Sequence, residues 1–438
     1  MNNNASCPTF DLEYAHASDM GMRRMNNQDA LAVMVTSDEA AWAARGHLFM
    51  VADGLGAPAA GELASKLAVD NIPHTYFKLR DLYPPAALRQ AIRDANRVIH
   101  AKGQSSIGFQ GMGTTCSCLV LLPQGALVAH IGDSRVYRLR GGLLEQLTFD
   151  HSLVWEMAAA GQIPEAEVPA YIPKNVITRS LGPHPTVNID VEGPYNAAPG
   201  DVFLVCSDGL SGQLSDEELG AILDCLPPDE AVQSLVDLAN LRGGPDNISV
   251  IAARVAGNAS TPANDAEHPR PTRPDGRRWP TAPVWLAAGA CLALAAYCVV
   301  HQWWLGAIVV SAVAVILVGG WAYRAGATAG APVGSLGGPY GNGPYRKVEC
   351  GPTRSVVDSL AEIAGKLREL PEKQPNNWNV DWQSFDATRK KAAAAVEADQ
   401  LADAVRHYCH AVRDVMRQLR GQRPTLDGDS SGIHPTPP

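Results

Sequence analysis

Short apolar runs recur along the first 255 residues, and two of them stop at the same pair of residues. His47-Leu48-Phe49-Met50-Val51-Ala52 runs into Asp53-Gly54, and Val202-Phe203-Leu204-Val205-Cys206 passes through Ser207 into Asp208-Gly209. Uninterrupted apolar stretches of this length, closed by glycine, are how strands covered on both faces look in sequence. Residues 10–17 and 30–36 predict two more strands, the second paired with 47–52. Helical spacing takes over at 61–77, through Leu63, Leu67 and Ile72, and at 86–102, through Leu88, Ile92, Ala95 and Ile99. Strand-like runs return at 114–122, 126–131, 136–140 and 143–147, separated by glycine or proline turns. Residues 216–223 and 230–241 read as helices before a last strand at 248–255. Strands, then two helices, then strands again predict an α+β layered fold.

Beyond residue 255 the pattern changes. Residues 257–282 are rich in proline, alanine and charge and predict a disordered linker. Two runs without a single charge follow, 283–300 and 303–323, separated only by His301-Gln302. About 20 apolar residues cross a bilayer, with a lower limit near 17, so 283–323 reads as a transmembrane helical hairpin. Arg270, Arg273, Arg277 and Arg278 before it and Arg324 after it place both flanks in the cytoplasm. The alternative is one long helix kinked at His301, which would put the C-terminal part outside. Residues 324–345 form a glycine-rich linker. In 346–422 two amphipathic faces appear, Val356, Leu360, Ile363, Leu367 and Leu370, then Leu401, Val405, Tyr408, Val412, Val415 and Leu419, with a helix at 382–396 between them. This small helical unit reads as an interaction module; a packed bundle without a partner is the alternative. Residues 423–438 complete the chain as a disordered tail.

Charge narrows the function. A net charge of −9 over 438 residues argues against nucleic acid as a partner. The nine cysteines include no C-x-x-C pair, and Cys116, Cys118 and Cys206 lie in apolar runs, which fits buried thiols in a reducing compartment. None is followed six positions later by arginine, so a cysteine-nucleophile phosphatase is excluded. Three acids stand at strand ends, Asp53, Asp208 and Asp246, the last just before the strand 248–255. A carboxylate there needs a partner, because stripping its water costs several kcal/mol. Three together suit a hard cation such as Mg²⁺ or Mn²⁺. The plainer alternative is that each Asp-Gly marks a turn.

The motifs carrying these acids resemble those of bacterial metal-dependent serine/threonine protein phosphatases of type 2C. They are Ser18-Asp19-Met20-Gly21 through Arg24 to Asp29-Ala30, Val51-Ala52-Asp53-Gly54-Leu55-Gly56 with Gly61-Glu62, Gly111-Met112-Gly113-Thr114-Thr115, Ile131-Gly132-Asp133-Ser134-Arg135, Cys206-Ser207-Asp208-Gly209-Leu210, and Asp246-Asn247-Ile248-Ser249. Each is short; their order along a domain at 8–256 is the specific signal. The resemblance implies a central antiparallel β-sandwich flanked by helices, with the site at one end. It implies two Mn²⁺ or Mg²⁺ ions, roughly 3.5–4 Å apart, that activate a shared water for in-line attack on phosphorus. Asp53 would bridge them and the Gly54 carbonyl would hold one; Asp208 and Asp246 would hold the other, and Asp133 with Asp208 a weaker third. Asp29 would orient the metal-bound water, and Arg24 would clamp phosphate with two parallel hydrogen bonds. For Arg24 the alternative is a structural ion pair with Asp29.

The chain departs from that pattern at Gln28, where glutamate is frequent, at Leu55, where eukaryotic relatives carry histidine, and at Ala57-Pro58, where glycine-histidine is frequent. His130 could replace the missing histidine in principle, but before a Gly-Asp turn it reads as a packed residue. Residues 151–182, with a short helix at 155–160 and Pro164, Pro169 and Pro173, resemble the family's flap over the site; an inert excursion is the alternative. The expectation is thus an inner-membrane, multi-pass phosphatase with its catalytic domain and C-terminal unit in the cytoplasm. Its substrates would be phosphorylated bacterial proteins and its counterpart a bacterial serine/threonine kinase. The competing expectation is a catalytically inactive phosphoprotein-binding scaffold at the membrane.

Overall fold

The computed structural model describes residues 12–161, 176–256, 340–373 and 379–420. Two antiparallel sheets lie at its centre. In the first, β1 (Leu12–Asp19), β11 (Ile248–Val255), β10 (Val202–Cys206), β7 (Arg135–Arg140), β8 (Leu143–Gln146) and β12 (Arg346–Glu349) are neighbours in that order. In the second, the order is β2 (Asp29–Met34), β3 (His47–Leu55), β5 (Cys116–Leu122), β6 (Gly125–Ile131) and β9 (Asp190–Tyr195), with β4 (Gly113–Thr114) against the end of β3. Phe49, Val51, Leu119 and Leu121 of the second sheet meet Phe203, Val205, Ile251 and Ala253 of the first in a fully buried seam. The alternate positions of β3 and β5, Leu48, Met50, Cys118 and Val120, are buried as well. Both faces are covered, which is why these strands read as unbroken apolar runs.

Of the helices, α2 (Pro58–Lys78) and α3 (Pro84–Gln104) pack on one another, with α2 against β3. On the first sheet lie α6 (Asp216–Cys225), opened by a Ser215/Glu218 capping box, and α7 (Pro228–Leu241). Sequence periodicity missed α1 (Glu39–Arg45), a single short turn pair capped by Asp38 and anchored by the buried Trp42. The short α4 (Leu153–Ala159) lies where the flap helix was expected; residues 162–175 of that segment fall outside the described residues.

The C-terminal part departs most from expectation. Residues 340–345, assigned to the glycine-rich linker, are instead tied to β9. Tyr340 and Gly193 exchange backbone hydrogen bonds, and Gly343 N–H donates to Glu192. Residues 346–349 then form β12, the edge strand of the first sheet, paired with β8. The helices α8 (Arg354–Lys373), α9 (Trp382–Glu397) and α10 (Leu401–Arg420) match the expected positions, but they are no separate module. Val356, Leu360, Leu367, Val405, Val412 and Val415 share one core with Leu219, Ile222, Val232 and Leu235 of α6 and α7. Ion pairs rim this junction, from Arg420 to the buried Asp237 and from His410 and Arg413 to Glu230. An amphipathic stripe records that a face must be covered and not what covers it; here the cover is α6 and α7 on the first sheet.

The linker at 257–282, the hairpin at 283–323 and the tail at 423–438 lie outside the described residues. Among the described residues no helix is long and apolar enough to cross a membrane.

Candidate active site

All the acids singled out in the sequence gather at one end of the sandwich. Antiparallel pairing of β2 with β3 sets Asp29 directly opposite Asp53. Asp133 follows β6 at the Gly132 turn, Asp208 follows β10 and opens the four-residue helix α5 (Asp208–Ser211), and Asp246 immediately precedes β11. Close backbone approach holds these ends in place. Gly21 adopts φ +80°, and a Cβ on it would stand 2.1 Å from the Asp246 carbonyl oxygen. A Cβ on Gly54 would stand 2.2 Å from the Gly61 carbonyl, so the Asp-Gly pair reflects packing of the β3 end on α2 as well as a turn.

Burial and mutual repulsion act on the acids together. Burial pushes the Asp29 carboxyl up to about 7, with Asp208 and Asp246 adding to the rise and a hydrogen bond from Ser207 opposing it. Asp53 is held well above the usual carboxylate range by burial and by Asp29, Asp208, Asp133 and Asp246. Asp133 is raised by burial, then by Asp208 and Asp150; Asp208 by burial, then by Asp246. Carboxylates this crowded demand protons or a cation.

Among the described residues no three imidazole, thiol or carboxylate side chains are already grouped as a metal cage, so the fit to a cation rests on donor chemistry. Asp29 Oδ1, Asp133 Oδ1 and Asp208 Oδ1 are buried and accept no hydrogen bond, and the converging side chains offer oxygen alone. That donor set fits Mg²⁺ or Mn²⁺. Among the described residues, the guanidinium paired with one of these acids is that of Arg24, whose Nη2 lies 2.6 Å from Asp246 Oδ2 at the mouth of the cleft, 44% exposed. Its partner is therefore Asp246 and not Asp29. A cleft of ≈ 420 Å³ opens beside these groups, lined by Asp133, Asp208 and Asp246 and also by Arg135, Asp150 and Trp155.

A family model described as protein phosphatase 2C matches residues 22–239. Protein phosphatase PhpP of Streptococcus pneumoniae is 35% identical over 248 residues, 55% of this chain and 96% of that protein. The serine/threonine phosphatase of S. agalactiae superposes with a TM-score of 0.50 at 34% identity, over 56% of this chain and 99% of that one. The catalytic domain of the serine/threonine protein phosphatase PstP in complex with 2 manganese ions is 34% identical, over 57% of this chain and 100% of that one, with a TM-score of 0.48.

The chain belongs to the protein phosphatase 2C family. It is a serine/threonine protein phosphatase, a hydrolase.

Sequence motifs placed the acids of this phosphatase but not the polar groups that hold them. Asn247 is the chief omission. Its Nδ2 donates to the carbonyls of Met20 (2.9 Å) and Asn26 (3.0 Å), and its Oδ1 accepts from Gln28 N–H (2.9 Å), which pins the loop carrying Arg24. Ser207 Oγ donates to Asp29 Oδ2 (2.8 Å) and accepts from Ser249 N–H (2.9 Å). Thr114 and Thr115 clasp the Asp53 backbone from β4, through Thr114 Oγ1 to the Asp53 carbonyl and Asp53 N–H to Thr115 Oγ1, each 2.9 Å. These pairs lie 42 to 227 positions apart in sequence, so nothing local announces them.

Gln28 explains its own departure from the family pattern. Its side-chain amide donates to the Pro58 carbonyl (3.3 Å), a bond an ionised glutamate could not make. His130 is fully buried against His151, and its imidazole is pushed down to about 3 by burial and by that neighbour. Its Nδ1 meets Ser117 Oγ at 2.9 Å, so it is a packed, neutral residue and no general acid. Cys116, Cys118 and Cys206 are free and buried.

Proposed function

We propose that this phosphatase hydrolyses phosphoserine and phosphothreonine in bacterial proteins with two Mn²⁺ or Mg²⁺ ions, is anchored in the inner membrane by residues 283–323, and opposes a bacterial serine/threonine kinase. The observation that carries the chemistry is the convergence of buried acids with unpartnered oxygens beside the exposed Arg24. Asp53, the Gly54 carbonyl, Asp208 and Asp246 would hold the ions, and Asp133 a third. When bound, such ions neutralise phosphoryl charge and make water nucleophilic near neutral pH.

The chain's own groups supply the rest. Asp29, held by Ser207 and set opposite Asp53, would orient water at the ions. Arg24, exposed beside Asp246, would lay two N–H groups along a phosphoryl edge. With this set of acids intact, a binding-only scaffold has no observation in its favour.

With full-length protein we expect phosphate release from a phosphothreonine peptide that requires Mn²⁺ and stops with EDTA. Arg24→Ala should lower kcat/KM about 100-fold, roughly the 2–3 kcal/mol of a charge-assisted bidentate contact, and Arg24→Lys should recover part of it. Metal-independent turnover would refute the assignment.

Topology supports the membrane hairpin over a single kinked helix. The strands on either side of the interval, β11 and β12, belong to one sheet, an arrangement that a hairpin accommodates because it returns the chain to the side it left. A periplasm-dependent reporter fused at Pro438 should therefore stay inactive, and an active one would overturn the hairpin.

A further inference from the structure

The strap that leads into the C-terminal helices packs against Trp155, a residue that lines the cleft beside the acids. Tyr345 donates through its hydroxyl to Glu192 (2.5 Å), and its ring meets Phe149 edge-on at 5.4 Å. The next residue, Arg346, begins β12 opposite Gln146. Its guanidinium stands 5.0 Å from the ring centre of Trp155 and 3.4 Å from Asp216 Oδ2. A second guanidinium, Arg135, lies 5.8 Å from the same ring and is held on Asp150 by three hydrogen bonds of 2.7–3.1 Å. Tyr137 joins the two sides, accepting from Arg135 (2.9 Å) and donating to Asp216 (3.1 Å). Trp155 thus has its indole fixed by cations from β7 and from the C-terminal strap, while lining the same cleft as Asp133, Asp208 and Asp246.

We propose that Arg346 is a positioning residue for protein substrates: through Trp155 it fixes the wall of the cleft against which the polypeptide flanking the phosphorylated serine or threonine lies. The part of Trp155 that lines the cleft beside the acids offers an extended peptide an apolar contact that a small phosphoester cannot use. A guanidinium over the ring holds it in one orientation, since the ring's negative face attracts the cation. The C-terminal unit would then select phosphoproteins over small phosphate esters without touching the phosphate. This rests on the proposed hydrolysis at the acid cluster.

The test compares full-length wild type, Arg346→Ala, Arg346→Lys and Trp155→Leu, each with Mn²⁺, on a phosphothreonine peptide and on p-nitrophenyl phosphate. We expect Arg346→Ala to raise the peptide KM about tenfold while peptide kcat changes less than twofold. The ratio of kcat/KM for peptide to that for p-nitrophenyl phosphate should fall about tenfold. Arg346→Lys, which keeps a cation, should restore most of that ratio. Trp155→Leu should reproduce the loss without altering β12, and the double variant should be no worse than Trp155→Leu alone. An unchanged peptide KM in Arg346→Ala, or an equal loss on both substrates, would overturn the proposal. Wild-type protein inactive on both substrates would instead defeat the hydrolytic reading on which it rests.

Discussion

Asp208→Asn in the full-length chain should lower phosphate release from a phosphothreonine peptide at least ~10³-fold, about 4 kcal/mol of transition-state stabilisation. The same change should make the metal-free protein more stable. Asp208 is buried among other acids, its carboxyl is held up by burial and by Asp246, and it in turn raises Asp29, Asp53 and Asp133. Removing one charge from that cluster relieves repulsion worth on the order of 1–2 kcal/mol.

The pH dependence of the metal-free protein follows from the same shifts. A buried acid whose folded value lies above its unfolded one binds more protons in the folded state over that interval. Stability is then greatest below the unfolded value and is lost as pH rises through the folded one, here from about 4 to about 7 for Asp29. Calorimetry of metal-free wild type should show that decline, Asp208→Asn should flatten it, and Mn²⁺ should raise the midpoint of wild type far more than that of the variant. A variant that keeps activity, or whose metal-free form melts lower than wild type, would remove Asp208 from the centre of the site.

Ending the chain after residue 256 should leave a catalytic domain that aggregates or melts far below the full-length protein. The core formed by α6 and α7 continues without a break into α8 and α10, through Val356, Leu360, Val405 and Val412 among others. Burying each such side chain is worth roughly 1.5–3 kcal/mol, and a domain's whole stability is about 5–15 kcal/mol, so losing several removes a large share of it. Truncation also exposes the edge of β8, which β12 covers, and an uncovered edge strand beside an apolar patch invites association. Light scattering and thermal melts of the two lengths decide the matter. Equal midpoints would mean that the helices contribute little to the domain they cover.

Much of the fold was legible before any coordinates. Apolar runs at 47–52 and 202–206 marked doubly covered strands, and both are central to their sheets. The helices at 61–77 and 86–102, the two amphipathic segments after 346 and the helix between them lie where the sequence placed them. The acids at 53 and 208 were legible too, because an acid at a strand end is announced by local grammar: an apolar run, an acid, a glycine.

What sequence could not supply was every contact made across large separations. Asn247 reads as an ordinary turn residue until its partners Met20, Asn26 and Gln28 are seen around it. The alternative reading of Arg24, an ion pair with Asp29 five residues away, is replaced by a pairing with Asp246, 222 residues away. The four charged and apolar residues Arg346–Glu349 are too few to show a strand period, and they become a strand only because β8 offers an open edge. The C-terminal helices likewise declared an apolar face but not its cover. Periodicity is a property of one element and survives in one dimension. Which element meets which depends on shape and on hydrogen-bonding groups left open elsewhere in the fold, and only the tertiary structure decides it.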